Sequence, residues 1–87
     1  MELITTQSVA EKLTAYLRHE LDLPSLVDWA ELAMLEAEFE PRHHDEIRDV
    51  VSRLGLADVK SFALTWDEIE RFLAQLGYAA RVEVVSA

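Results

Sequence analysis

His43 and His44 stand side by side, close to the carboxylates of Glu36, Glu38 and Glu40. On a helix, neighbouring side chains diverge by about 100°, so the two imidazoles cannot both face one metal ion. Glu40 and His44, or His44 and Arg48, could meet on a helical turn, yet no third ligand is spaced to complete a site. Glu36 with Glu38 or Glu40 could serve as an acid-base pair only if one carboxyl entered a desolvating pocket, and a chain of 87 residues has little volume for one. The chain contains no cysteine, which removes a thiolate zinc site, a cysteine nucleophile and a disulfide framework together. Ser8, Ser25, Ser52, Ser61 and Ser86 lie in no nucleophile-elbow context, and two isolated glycines cannot cradle a phosphate. The expectation is a protein without catalytic residues, without a metal and without a cofactor.

Charge carries more information. Seventeen acidic residues against eight basic ones give a net charge of -9, and a phosphate backbone repels such a surface. Direct binding of nucleic acid is therefore not expected. Residues 19 to 46 hold nine carboxylates against a single base, Arg42, so this window contains most of the negative excess. No apolar run approaches the roughly 18 to 20 residues that span a bilayer, and Met1-Glu2-Leu3-Ile4-Thr5 is no basic leader. The expected location is cytoplasmic, with no membrane contact.

The elements that must position these groups are mainly helical. The 51% hydrophobic and 29% charged composition is that of a folding chain, and its length suits one domain over residues 1–87. A first helix is predicted to begin between Thr5 and Ser8, with Ser8 and Glu11 at capping-box spacing, and to bury Val9, Leu13, Tyr16 and Leu17. A second runs from about Pro24 to Phe39, bounded by Pro41. A third spans about Arg42 to Leu54, with Ile47, Val50, Val51 and Leu54 inward. Gly55 is expected to end it in the left-handed conformation, with Leu56 folding back onto Val51. A fourth follows the capping box Thr65-Trp66-Asp67-Glu68, buries Ile69, Phe72, Leu73 and Leu76, and stops at Gly77.

The fold class expected is mainly α, a compact four-helix domain with a small two-stranded β element formed by residues near 59–64 and 81–86. Residues 45–65 placed over 67–87 match Asp45/Asp67, Glu46/Glu68, Ile47/Ile69, Leu54/Leu76, Gly55/Gly77 and Ala57/Ala79. Two helix-strand copies explain this, and so does the ordinary likeness of two amphipathic helices with glycine stops. The valine-rich end, with Val82 and Val84 alternating against Arg81 and Glu83, reads as a closing strand.

The second helix departs from simple amphipathicity. Leu26, Ala30, Ala33 and Ala37 share one face, with Val27, Met34 and Trp29 at its margins. Leu32, Leu35 and Phe39 fall on the opposite side beside Asp28, with Glu31, Glu36 and Glu38 around them. Either the helix is central and covered on both sides, or those three apolar residues form an exposed anchor with a charged rim. In the second case Asp28, Trp29, Glu31, Leu32, Leu35, Glu36, Glu38 and Phe39 make a surface for a basic protein partner. The same strip could pair with itself in a homodimer, although its like charges oppose that. Trp66, like most tryptophans in short helical chains, reads first as a core-edge residue.

Leu13, Tyr16-Leu17 and Leu21, followed by Leu26-Val27-Asp28-Trp29-Ala30-Glu31, resemble the opening helices of small bacterial immunity proteins of the colicin D type. The resemblance covers about residues 13–31 and rests mainly on Asp28-Trp29-Ala30-Glu31. It implies an acidic helical inhibitor that plugs the active site of a basic nuclease toxin, with Asp28, Glu31, Glu36 and Glu38 facing the toxin's cleft. The combined expectation is an immunity, antitoxin or inhibitor-like interaction module. The alternative is a structural or oligomeric module, either a homodimer through helix 24–39 or an accessory subunit of a larger complex.

Overall fold

The computed structural model describes residues 3–58 and 63–79. Its elements run β1 (Leu3–Ile4), α1 (Thr6–Leu17), α2 (Leu23–Glu36), β2 (Glu38–Phe39), a 3₁₀ turn (Pro41–His43), α3 (His44–Leu54) and α4 (Trp66–Gln75). The architecture is mainly α, with four helices and a small parallel β1–β2 pair.

α1 begins within the predicted range, between Thr5 and Ser8, but its capping pair is Thr5/Ser8 rather than Ser8/Glu11. Thr5 is the N-cap, its hydroxyl accepting from the Ser8 amide at 3.0 Å while the Ser8 side chain accepts from the Thr5 amide at 3.3 Å. Ser8 thus closes the box from inside the first turn, and Glu11 instead accepts from the Gln7 side chain. The helix ends in a Schellman arrangement, with the His19 amide donating to the Tyr16 carbonyl and the Glu20 amide to the Ala15 carbonyl. His19 occupies the left-handed position at φ 62°, a place usually given to glycine. The reversal leads directly to Asp22, which caps α2 by accepting from the Ser25 amide at 2.9 Å.

α2 stops at Glu36, three residues before the predicted end. The restriction that Pro41 places on Glu40 does not set this end, because Ala37 is already extended and Glu38–Phe39 are drawn into a parallel ladder with Leu3–Ile4. The Glu40 amide donates to the Ile4 carbonyl at 2.9 Å, and Ile4 is fully buried. Two residues of strand are enough only because Ile4 is anchored in the helical core. This pair lies in a different part of the chain from the β element expected near 59–64 and 81–86. Segments 59–62 and 80–87 lie outside the described residues, and Ala63 and Leu64 are in neither helix nor strand.

The core gathers the inward stripes of all four helices. Val9, Ala10 and Leu13 come from α1, Leu26, Ala30 and Ala33 from α2, Ile47, Val50, Val51 and Leu54 from α3, and Ile69 and Leu73 from α4, with Leu76 just beyond. α2 lies chiefly against α3, where Ala30 and Ala33 allow close approach. α3 ends differently from the prediction. Gly55 has right-handed backbone (φ -64°), Leu56 is exposed rather than folded onto Val51, and Ala57 is the residue that turns inward. Gly77, by contrast, sits at φ 95°, and the Tyr78 amide reaches the Leu73 carbonyl at 2.8 Å. The two glycines paired by the internal comparison thus have different backbone.

At the start of α4 the Glu68 amide donates to Thr65 Oγ1 at 3.2 Å as expected. The Glu68 carboxylate does not return to the Thr65 amide. It receives the Arg53 guanidinium instead, with Nη2 at 2.8 Å from Oε1 and 2.7 Å from Oε2, and so ties the first turn of α4 to the last turn of α3.

Candidate partner-binding face

α2 uses its circumference twice. Leu26, Val27, Ala30 and Ala33 are buried, and each is held by the packing that fixes the helix. On the other side Leu35 is 82% exposed and Leu32 55% exposed, so the helix is not covered on both sides. Three residues apart, these leucines sit one above the other on the outward surface. Met34, 42% exposed, lies at the margin of the inward face.

Asp28, Glu31, Glu36 and Glu38 are all exposed around this strip. Among the described residues none of the four side chains makes a hydrogen bond or ion pair. Side-chain pairs among those residues lie elsewhere, such as an ion pair between Arg53 and Glu68 and a 3.5 Å contact between His44 and Asp45. The carboxylates therefore point their charge into solvent. Asp22, at the N-terminus of α2, has a shifted equilibrium. Hydrogen bonds from Ser25, through its side chain and then its backbone amide, hold the Asp22 carboxyl below its ordinary value of 3.8.

Three of the sequence-derived site residues occupy other surroundings. Phe39 is not on the helix at all; it belongs to β2, is half-buried against the core, and has its ring tilted 5.7 Å from that of His44. It cannot extend the leucine strip, because α2 has ended before it. Trp29 is also half-buried against the core, and Lys12 of α1 lies over its ring, 5.7 Å from the centroid. That contact is worth about 0.5–1 kcal/mol at a partly exposed site and joins α1 to α2. Glu38 likewise lies in β2, beyond the end of α2, so Asp28, Glu31, Leu32, Leu35 and Glu36 remain together on the outward side of the helix.

His43 is half-buried at the start of α3, while the His44 ring, besides its contact with Phe39, lies 3.5 Å from Asp45. No cluster of three or more His, Asp or Glu residues able to hold a metal ion occurs among the described residues. No helix in that set is long and apolar enough to cross a membrane.

Trp66 has a setting that its core-edge reading did not specify. It is 38% exposed and borders two grooves, one of about 710 Å³ beside α1 and Tyr78, the other of about 490 Å³ beside Tyr16 and Leu21. Its position immediately after the Thr65 cap, before the inward stripe begins, was the available signal. Compared with family models, with curated proteins and with solved structures, the chain finds no match in any of the three.

Proposed function

We propose that this chain is a non-enzymatic, acidic interaction module that binds a basic partner protein through the outward face of α2 and thereby neutralises or regulates it, as immunity proteins, antitoxins and inhibitors do. One observation carries the reading: Leu35 and Leu32 stand in solvent on α2, bordered by carboxylates whose side chains have no partner among the described residues. Covering an exposed leucine contributes about 1.5–3 kcal/mol, so this pair can supply the apolar centre of an interface. The rim speeds encounter with a positively charged surface and disfavours acidic partners. The likeness of residues 13–31 to colicin D-type immunity proteins adds a nuclease or toxin as the partner class.

Affinity capture from the native host tests the reading, with the wild-type chain beside a charge-reversed variant carrying Asp28→Lys, Glu31→Lys and Glu38→Lys. The expected result is a basic partner that the variant loses and that high salt releases. Enrichment of acidic partners alone, or a complex indifferent to both salt and charge reversal, would overturn it. The competing reading, a homodimer through α2, is favoured only by the exposed leucine strip itself. Light scattering separates the two: a dimer abolished by Leu35→Glu would replace the proposal with self-association.

A further inference from the structure

We infer that the partner meets α2 with an amphipathic helix of its own, apolar along its seam and bearing Lys or Arg on both flanks. This deepens the proposed function and rests on it. Leu32 and Leu35 have the spacing of the a and d positions of a heptad, and in that register the adjoining carboxylates fall into place: Glu31 at the g position before Leu32, Glu36 at the e position after Leu35. Asp28 occupies the preceding d position. The buried residues Leu26, Val27, Ala30 and Ala33 take positions b, c and f, on the far side of the helix from the seam. The fold therefore consumes one side of α2 and leaves Leu32 and Leu35 flanked by Glu31 and Glu36 on the other, while Trp29, at the preceding e position, is half-buried against the core.

Charge complementarity selects the occupant. Flanking positions in paired helices face one another across the seam, so Glu31 and Glu36 call for bases at the facing g and e positions. A second copy of this chain would bring glutamates to those places. An added strand is disfavoured for a different reason, because the backbone donors of α2 are already spent within the helix and offer no ladder. Asp28 sets the register, since the residue opposite a seam carboxylate must be polar or basic. The matching stretch is about two turns, roughly 10 Å of helix, which makes the contact short and strongly salt-dependent.

Three synthetic peptides test the inference by methyl NMR titration against the full chain. The first has three heptads with Leu at a and d and Lys at e and g; the second replaces those lysines with glutamates. The third has the composition of the first, permuted so that its leucines share no helical face. The expected result is saturable shifts at the Leu32 and Leu35 methyls with the first peptide alone, at an affinity at least tenfold above the other two. Leu35→Asp, verified as folded by circular dichroism, should cut that affinity at least tenfold. Equal shifts at Leu32 and Leu35 with the first and third peptides would overturn the helical mode while leaving the basic-partner reading standing. Failure of the first peptide to perturb α2 would also overturn it, and host capture would then judge the proposed function by itself.

Discussion

Gly55 and Gly77 look interchangeable on paper and are opposites in backbone. A Cβ on Gly55 would meet Ser52 O at 3.5 Å and Glu31 Cγ at 3.7 Å, ordinary contacts, on a right-handed residue. Gly55→Ala is therefore expected to raise stability by about 0.4–1 kcal/mol by narrowing the unfolded ensemble. Gly77→Ala has open space but forces a side chain to φ 95°, and is expected to lower stability by about 1 kcal/mol. Urea denaturation of both variants checks the contrast in sign. Asp22 supplies the pH dependence at this scale. Because its folded value is depressed, its contribution is fully present above the ordinary 3.8 and is lost as pH falls through the folded value. Acid titration of the melting temperature should thus flatten below pH ~4 in Asp22→Asn, which keeps the cap. The left-handed C-terminus at Gly77 was legible from its place after the last apolar residue. His19 in the same role was not, because a histidine carries no such signal. The Gly55 expectation failed because Ala57, not Leu56, found the core.

Between elements, the ion pair from Arg53 to Glu68 is the most specific tie that α4 makes. Both side chains are largely withdrawn from water, at 23% and 18% exposure, so their mutual hydrogen bonds outweigh those of a surface pair. Glu68→Gln and Arg53→Met are each expected to cost about 1–3 kcal/mol, and the double variant less than the sum of the two. A double-mutant cycle by chemical denaturation checks this, and additive losses would show that the side chains act independently. The periodic apolar stripes of all four helices were readable, since burial of Val9, Leu13, Ile47, Val50, Val51, Leu54, Ile69 and Leu73 follows their spacing. The β1–β2 pair was not. Leu3–Ile4 and Glu38–Phe39 are too short to show alternation, and their pairing depends on the return of the chain through α1 and α2. Phe39 was misplaced for the same reason: the run from Leu26 keeps helical spacing up to it, and the ladder interrupts the helix first.

At the scale of the whole molecule, nine of the seventeen carboxylates fall in residues 19–46, a window that contains a helix the fold only half covers. The exposed leucines and their carboxylate border were legible because Leu32 and Leu35 fall opposite the alanine face of α2. Their exposure could not be read from the sequence, since the choice between a covered and an open helix depends on where α1, α3 and α4 come to rest. A side chain as exposed as Leu35 has little to lose in the free protein, so Leu35→Asp is expected to change stability by no more than about 0.5 kcal/mol. Its effect should appear only on binding. Isothermal titration of the captured partner with wild type and with Leu35→Asp is the most direct measurement. The expected result is an affinity at least tenfold weaker for the variant at unchanged melting temperature; equal affinities would mean that the outward face of α2 is not where the partner binds.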